Sequence, residues 1–162
     1  MPHRYRFHVH RLLWGLIGAV GLASAALADD DRRAPRVPLA PAYQQECAAC
    51  HIAYPPGMLP AASWRRIVDT LPHHYGTDAS LDPATAKELS AWLSVNAGAG
   101  RRGREQPPED RITRSAWFAR EHDEVSAAIW MRPAVKSAAN CAACHTQADQ
   151  GDFNEHNIRI PR

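Results

Sequence analysis

Two five-residue stretches of this chain read alike: Cys47-Ala-Ala-Cys50-His51 and Cys141-Ala-Ala-Cys144-His145. They account for all four cysteines of the 162-residue chain. Four thiols in an exported protein would ordinarily form two disulfides, but a disulfide framework gives no reason for a histidine to follow each pair. A thioredoxin-like redox pair does not require one either. Paired CxxC also occurs in zinc ribbons, which makes zinc the strongest competing reading. The full spacing fits covalent haem. Two thiols add to the two vinyl groups, and the two-residue gap sets the sulfurs at the vinyl separation. The next residue then lies under the iron, where its imidazole is the proximal ligand. Cys47, Cys50, Cys141 and Cys144 are therefore the expected attachment points of two c-type haems, with His51 and His145 as proximal iron ligands.

Covalent haem implies export, and the N-terminus agrees. Arg4, Arg6 and Arg11 precede an apolar run from Leu12 to Ala23, and Ala26-Leu27-Ala28 resembles a cleavage site. Residues 1–28 are read as a cleaved signal peptide, because the apolar run is short for a span of about 20 residues. No other stretch is apolar enough to span, so the mature protein is expected not to cross the membrane. The chain has 19 Lys plus Arg against 17 Asp plus Glu. The leader holds three of the bases and none of the acids, so 16 bases face 17 acids in the remainder. The basicity belongs to the leader, and a nucleic-acid reading lacks its concentrated basic face.

The remainder divides around the two motifs into a mostly α-helical protein with two small haem-binding domains. Residues 29–42, charged and then rich in proline, read as a flexible arm. Residues 43–98 form the first haem domain, 99–110 a linker containing Gly and Pro, and 111–162 the second haem domain. Within the first, Tyr43 to His51 reads as a short helix and 52–60 as a loop. Ser63 looks like the N-cap of a helix whose apolar face is Trp64, Ile67, Val68 and Leu71, stopped by Pro72. Asp82-Pro83 opens a third helix with Ala86, Leu89, Trp92 and Leu93 on one face, and Gly98 is its expected stop. In the second domain one helix is expected from Ser115 to about Met131, with Phe118, His122, Val125 and Ile129 on one stripe. Each domain is small enough that its core alone is marginal, so a buried macrocycle would complete it.

The second axial ligand decides what each iron can do: methionine raises the potential, histidine leaves it lower, and an open position permits ligand binding. Beyond the leader the candidates are Met58, Met131, His73, His74, His122 and His156. His74 is favoured for the first haem over His73 and Met58, because it lies on a loop between two helices that can reach across the haem. His122, on an apolar helical stripe, is favoured for the second over His156 and Met131. Both irons would then be closed, which suits electron transfer better than small-molecule chemistry.

Further residues carry a resemblance. They are Glu46 with the first CAACH and the following Ile-Ala-Tyr-Pro-Pro-Gly-Met-Leu-Pro, Ser63-Trp64-Arg65-Arg66, and His74-Tyr75-Gly76 with Ala79-Ser80-Leu81-Asp82. With them stand Arg111-Ile112-Thr113, Trp117-Phe118 with Glu121-His122, Arg132-Pro133-Ala134-Val135-Lys136 leading to Asn140 and the second CAACH, and Ile158-Arg159-Ile160-Pro161. Together they resemble the dihaem cytochrome c family called DHC. The resemblance implies a periplasmic electron carrier with bis-histidine haems of low potential. It also implies a first domain similar to class I cytochromes c and a less regular second one. As partners it implies an oxygen-binding monohaem cytochrome c of the sphaeroides haem protein type and a membrane b-type cytochrome. The chain is therefore expected to be a dihaem electron carrier and not an enzyme. The alternatives are a small haem enzyme, a peroxidase or oxidase subunit with one open or labile axial position, and a gas- or redox-sensing module.

Overall fold

Six helices and several single 3-10 turns make up the described chain, residues 37–162 of a computed structural model. The leader and the start of the arm lie outside the described residues. Among these residues there is no β-strand, only three isolated bridges, and no helix is long and apolar enough to cross a membrane. All of them belong to one compact unit.

The helices are α1 (Pro41–Cys47), α2 (Ala61–Asp69), α3 (Pro83–Val95), α4 (Gly100–Arg104), α5 (Ala116–Glu121) and α6 (Ala127–Trp130). α1 begins inside the segment read as an arm, and Leu39, Ala40 and Ala42 pack against the core. α2 lies against α3. Between α1, α2 and α3 sit Tyr43, Ala53, Leu59, Trp64, Leu89 and Leu93, all buried. The polar tips of the two core aromatics are satisfied. Tyr43 donates its hydroxyl proton to the Tyr54 carbonyl at 2.8 Å, and Trp64 donates its indole N–H to the Pro56 carbonyl at 2.7 Å. Such pairing lets large amphipathic rings be buried without an unsatisfied donor.

Three expectations need correction. Ser63 is not an N-cap. α2 starts two residues earlier, where the Pro60 carbonyl takes the Ser63 and Trp64 N–H groups, and Ser63 is fully buried inside the helix. Gly98 does not stop α3, because Asn96 does. Its backbone N–H and its side-chain amide both donate to the Trp92 carbonyl. Gly98 is instead a point of close approach, with its N–H on the Leu59 carbonyl at 2.8 Å, and a Cβ there would lie 2.7 Å from the Gly57 oxygen. The long helix expected from Ser115 is two short ones, because the backbone leaves helical geometry at His122, with φ −125°. By contrast Asp82 caps α3 as expected, accepting from the Ala84 and Thr85 N–H groups at 3.0 Å.

The segment read as a linker carries α4 and a 3-10 turn, Pro108–Asp110. Its end is clamped to α2. Arg66 donates to both Asp110 carboxylate oxygens, at 2.9 and 2.6 Å, and that hydrogen bonding holds the Asp110 carboxyl below the usual carboxylate range. Forked Arg–carboxylate pairs are the strong kind, although the half-exposed guanidinium is screened by solvent. Asp110→Asn is expected to cost about 1 kcal/mol in denaturant unfolding at pH 7. A depressed folded pKa gives stability above the unfolded value that is lost as pH falls through the folded one. The difference between the two proteins should therefore shrink below pH ~4.

Candidate functional site

The first CAACH motif starts at the end of a regular helix, and the second begins in a single 3-10 turn. α1 stops at Cys47, so Cys50 and His51 lie on the turn that follows it. Cys141–Ala143 is a single 3-10 turn, and Cys144 and His145 come directly after it. None of the four cysteines is in a disulfide. Burial, with Glu46 adding to it, pushes the Cys47 thiol up to about 11, and burial raises Cys141 and Cys144 as well. Among the described residues no three His, Cys, Asp or Glu side chains converge as a metal cage. The histidines come in opposed pairs.

In the first pair the His51 and His74 rings have centroids 6.1 Å apart and planes inclined by 27°. His51 is oriented locally: its Nδ1 lies 2.7 Å from the Ile52 carbonyl, which makes Nδ1–H the donor and leaves Nε2 as the unprotonated nitrogen. The Tyr54 ring stacks on it at 4.8 Å. His74 reaches its place through a tight turn after the 3-10 turn Leu71–His73. It donates its N–H to the Leu71 carbonyl and accepts from Thr77. Tyr75 and Gly76 then take positive φ, 50° and 97°. That is routine for glycine and strained for tyrosine. The strained residue is pinned: its hydroxyl lies 3.0 Å from the Glu109 carbonyl, and the Arg111 guanidinium covers its ring at 4.2 Å. Burial first, then the charges of His51 and Arg111, hold His74 below the ordinary imidazole range, which keeps the ring neutral, as a metal ligand must be. His73 is exposed, and Met58 lies on the 3-10 turn Pro56–Met58 before α2.

The second pair reverses the chain order, with the motif histidine following its partner. His122 and His145 also have centroids 6.1 Å apart, but their planes stand at 73°. His122 is the C-cap of α5, and its Nδ1 lies 2.9 Å from the Phe118 carbonyl, so Nε2 is again the unprotonated nitrogen. Phe118 stacks on it at 4.0 Å. His145 is backed by Phe153 at 5.2 Å and held through its neighbours by the C-terminal segment. The Arg159 N–H donates to the Cys144 carbonyl, and Thr146 donates to Asn157. Its Nδ1 is buried without a hydrogen-bonding partner among the described residues. His156 is exposed, and Met131 is 83% exposed.

Two imidazoles binding one metal ion from opposite sides at about 2 Å each have centroids roughly 6 Å apart. Both pairs meet that spacing beside a CxxCH thiol pair, so the residues fit a haem at each centre. The class so defined is a c-type cytochrome with two covalent haem sites. The profile of the family described as dihaem cytochrome c (DHC) matches residues 43–153. The diheme cytochrome c structure from Shewanella baltica OS155 is 36% identical, covering 77% of this chain and 95% of that one, with a TM-score of 0.67. A diheme cytochrome c structure from Rhodobacter sphaeroides is 42% identical, covering 74% and 100%, with a TM-score of 0.65. No curated protein sequence matches the chain significantly. The chain belongs to the dihaem cytochrome c family, and it takes two c-type haems.

Sequence reasoning missed the aromatic backing of the four histidines and the pinning of Tyr75. The pair Phe118 and His122, four apart, was visible as one helical stripe. The contacts of Tyr54 and Tyr75 with remote segments had no local signal. The cap of α5 positions His122 and offers a test. Ser115, 1% exposed, accepts from the Phe118 N–H and donates to the Ile112 carbonyl. Ser115→Ala is expected to cost about 1 kcal/mol in stability. Haem absorption in the substituted protein should be disturbed at the second centre and unchanged at the first.

Proposed function

We propose that this protein carries electrons between redox partners through two bis-histidine haems, with His51 and His74 on one iron and His145 and His122 on the other. The observation that carries this reading is the pair of opposed imidazoles, each at 6.1 Å, beside the two thiol pairs. When bound, each haem supplies a one-electron iron couple. The chain's own residues do the rest. Cys47 and Cys50, and Cys141 and Cys144, tether the groups. The carbonyls of Ile52 and Phe118 hold His51 and His122 in the tautomer that presents Nε2. Tyr54, Tyr75, Phe118 and Phe153 back the rings with aromatic contacts. With both axial positions filled by side chains no site is left for a substrate, so the protein acts as a carrier and not as an enzyme. Export to the periplasm is supported by the leader pattern. Exchange with an oxygen-binding monohaem cytochrome c and a membrane b-type cytochrome is supported by the family resemblance.

Optical spectra with and without carbon monoxide test the ligation. Two low-spin haems that resist carbon monoxide at native pH are expected, and ready binding to either would overturn the closed reading in favour of a haem enzyme. His122→Ala should turn only the second haem high-spin. If His156→Ala does so and His122→Ala does not, the assignment at that iron is wrong.

The ring planes give a separate prediction. Nearly parallel axial imidazoles and nearly perpendicular ones split the ferric d orbitals differently. Electron paramagnetic resonance of the oxidised protein should show one ordinary rhombic low-spin signal from the first centre and one strongly anisotropic signal from the second. Two identical signals would contradict the plane angles of 27° and 73°.

A further inference from the structure

Tyr54 lies three residues past His51, and both of its ends are engaged. Its ring stacks on the His51 imidazole at 4.8 Å with planes 27° apart. Its hydroxyl donates to the Ala139 carbonyl at 2.9 Å, across 85 positions of sequence. Ala139 stands two residues before Cys141, and the Cys141 thiol points at the same carbonyl at 3.7 Å. The backbone of Tyr54 is fixed from the core side, where its carbonyl accepts the buried Tyr43 hydroxyl, and Tyr43 in turn packs against Trp92 at 5.2 Å. One rigidly mounted side chain thus touches a ligand-bearing ring of the first centre and the attachment turn of the second. Other contacts bring the same two regions together: Asp149 shares a cavity wall with His51, Ile52 and Ala53.

We propose that Tyr54 is a positioning residue that couples the two centres, holding the His51 plane by stacking and the second attachment turn by its hydrogen bond. The proposal rests on both centres carrying haem. The step it serves is the passage of one electron from the reduced iron of one centre to the oxidised iron of the other. No bond forms or breaks, and Tyr54 keeps its electrons and its proton. The side chain acts by fixing the relative placement of the two centres and by offering a path of ring contact, hydrogen bond and two residues of backbone between them.

The test uses the dihaem protein and its Tyr54→Phe and Tyr54→Leu variants. Electron exchange between the centres is followed after a brief one-electron reduction, and each ferric signal is recorded separately. Tyr54→Phe keeps the ring, so it should preserve the first-centre signal and slow exchange, because the hydrogen bond to the Ala139 carbonyl is lost. Tyr54→Leu should slow exchange further and also shift the first-centre signal, because the His51 ring loses its stacking partner. Should Tyr54→Leu fail to fold, Tyr54→Phe still decides, since it removes only the hydroxyl. Exchange in Tyr54→Phe equal to that of the unsubstituted protein overturns the coupling role. Haem content and carbon monoxide resistance of the unsubstituted protein test the two-haem reading independently. If those hold while exchange is unchanged, only the link fails.

Discussion

Two pairs of imidazole rings, each with centroids 6.1 Å apart, set the conditions that the rest of this chain satisfies. In the proposed ligation neither ring of a pair can drift far without losing the metal position between them. One ring of each pair is placed locally, by its position directly after two tethered cysteines. The other arrives from a separate part of the chain, so tertiary structure has to deliver it. Two pieces of unusual backbone among the described residues accompany that delivery: the positive-φ turn at Tyr75 and Gly76 and the break in helical geometry at His122.

The two halves deliver the partner ring on different foundations. The first has a core of its own, with Trp64, Leu59, Leu89, Leu93 and Tyr43 buried between three helices. His74 then needs only a turn, braced by Arg111 and by the backbone at Glu109. Around the second centre the buried apolar side chains are Phe118, Val135 and Ala148, and the helices are short. A segment so thin in apolar burial is marginal unaided. The aromatic rings around His122 and His145, the C-terminal segment paired with residues 144–146, and two thioethers to a large apolar group together make up the difference. The second half is less regular, with helices of six and four residues and single 3-10 turns.

Much of the helical pattern was legible because it rests on local chemistry. Asp82-Pro83 started a helix where the carboxylate could take two N–H groups. The apolar spacing of Trp64, Ile67 and Val68 marked α2. Errors arose where a residue's usual local role was overridden by a contact from elsewhere. Ser63 resembles a cap, but the Pro60 carbonyl had already begun the helix. Gly98 resembles a stop, but it is needed where the chain passes the Gly57 and Leu59 carbonyls. The stripe from Phe118 to Ile129 is continuous in sequence, yet the backbone turns at His122 because that ring faces His145.

The CAACH motifs alone determined the number of haems and the cysteines present to attach them, and they pointed to the motif histidines as proximal ligands. That chemistry is contained in five consecutive residues, and no distant contact can change which thiols stand two residues apart. Which rings stand opposite was decided by tertiary structure. His73 and His74 are neighbours with the same side chain, and only the turn that follows points the second across the gap while the first stays exposed. The angle between the rings was likewise beyond the sequence, because it depends on Tyr54 stacking at one centre and Phe118 at the other. So was the tie from Tyr54 to Ala139, a hydrogen bond between segments that the chain brings together only by folding.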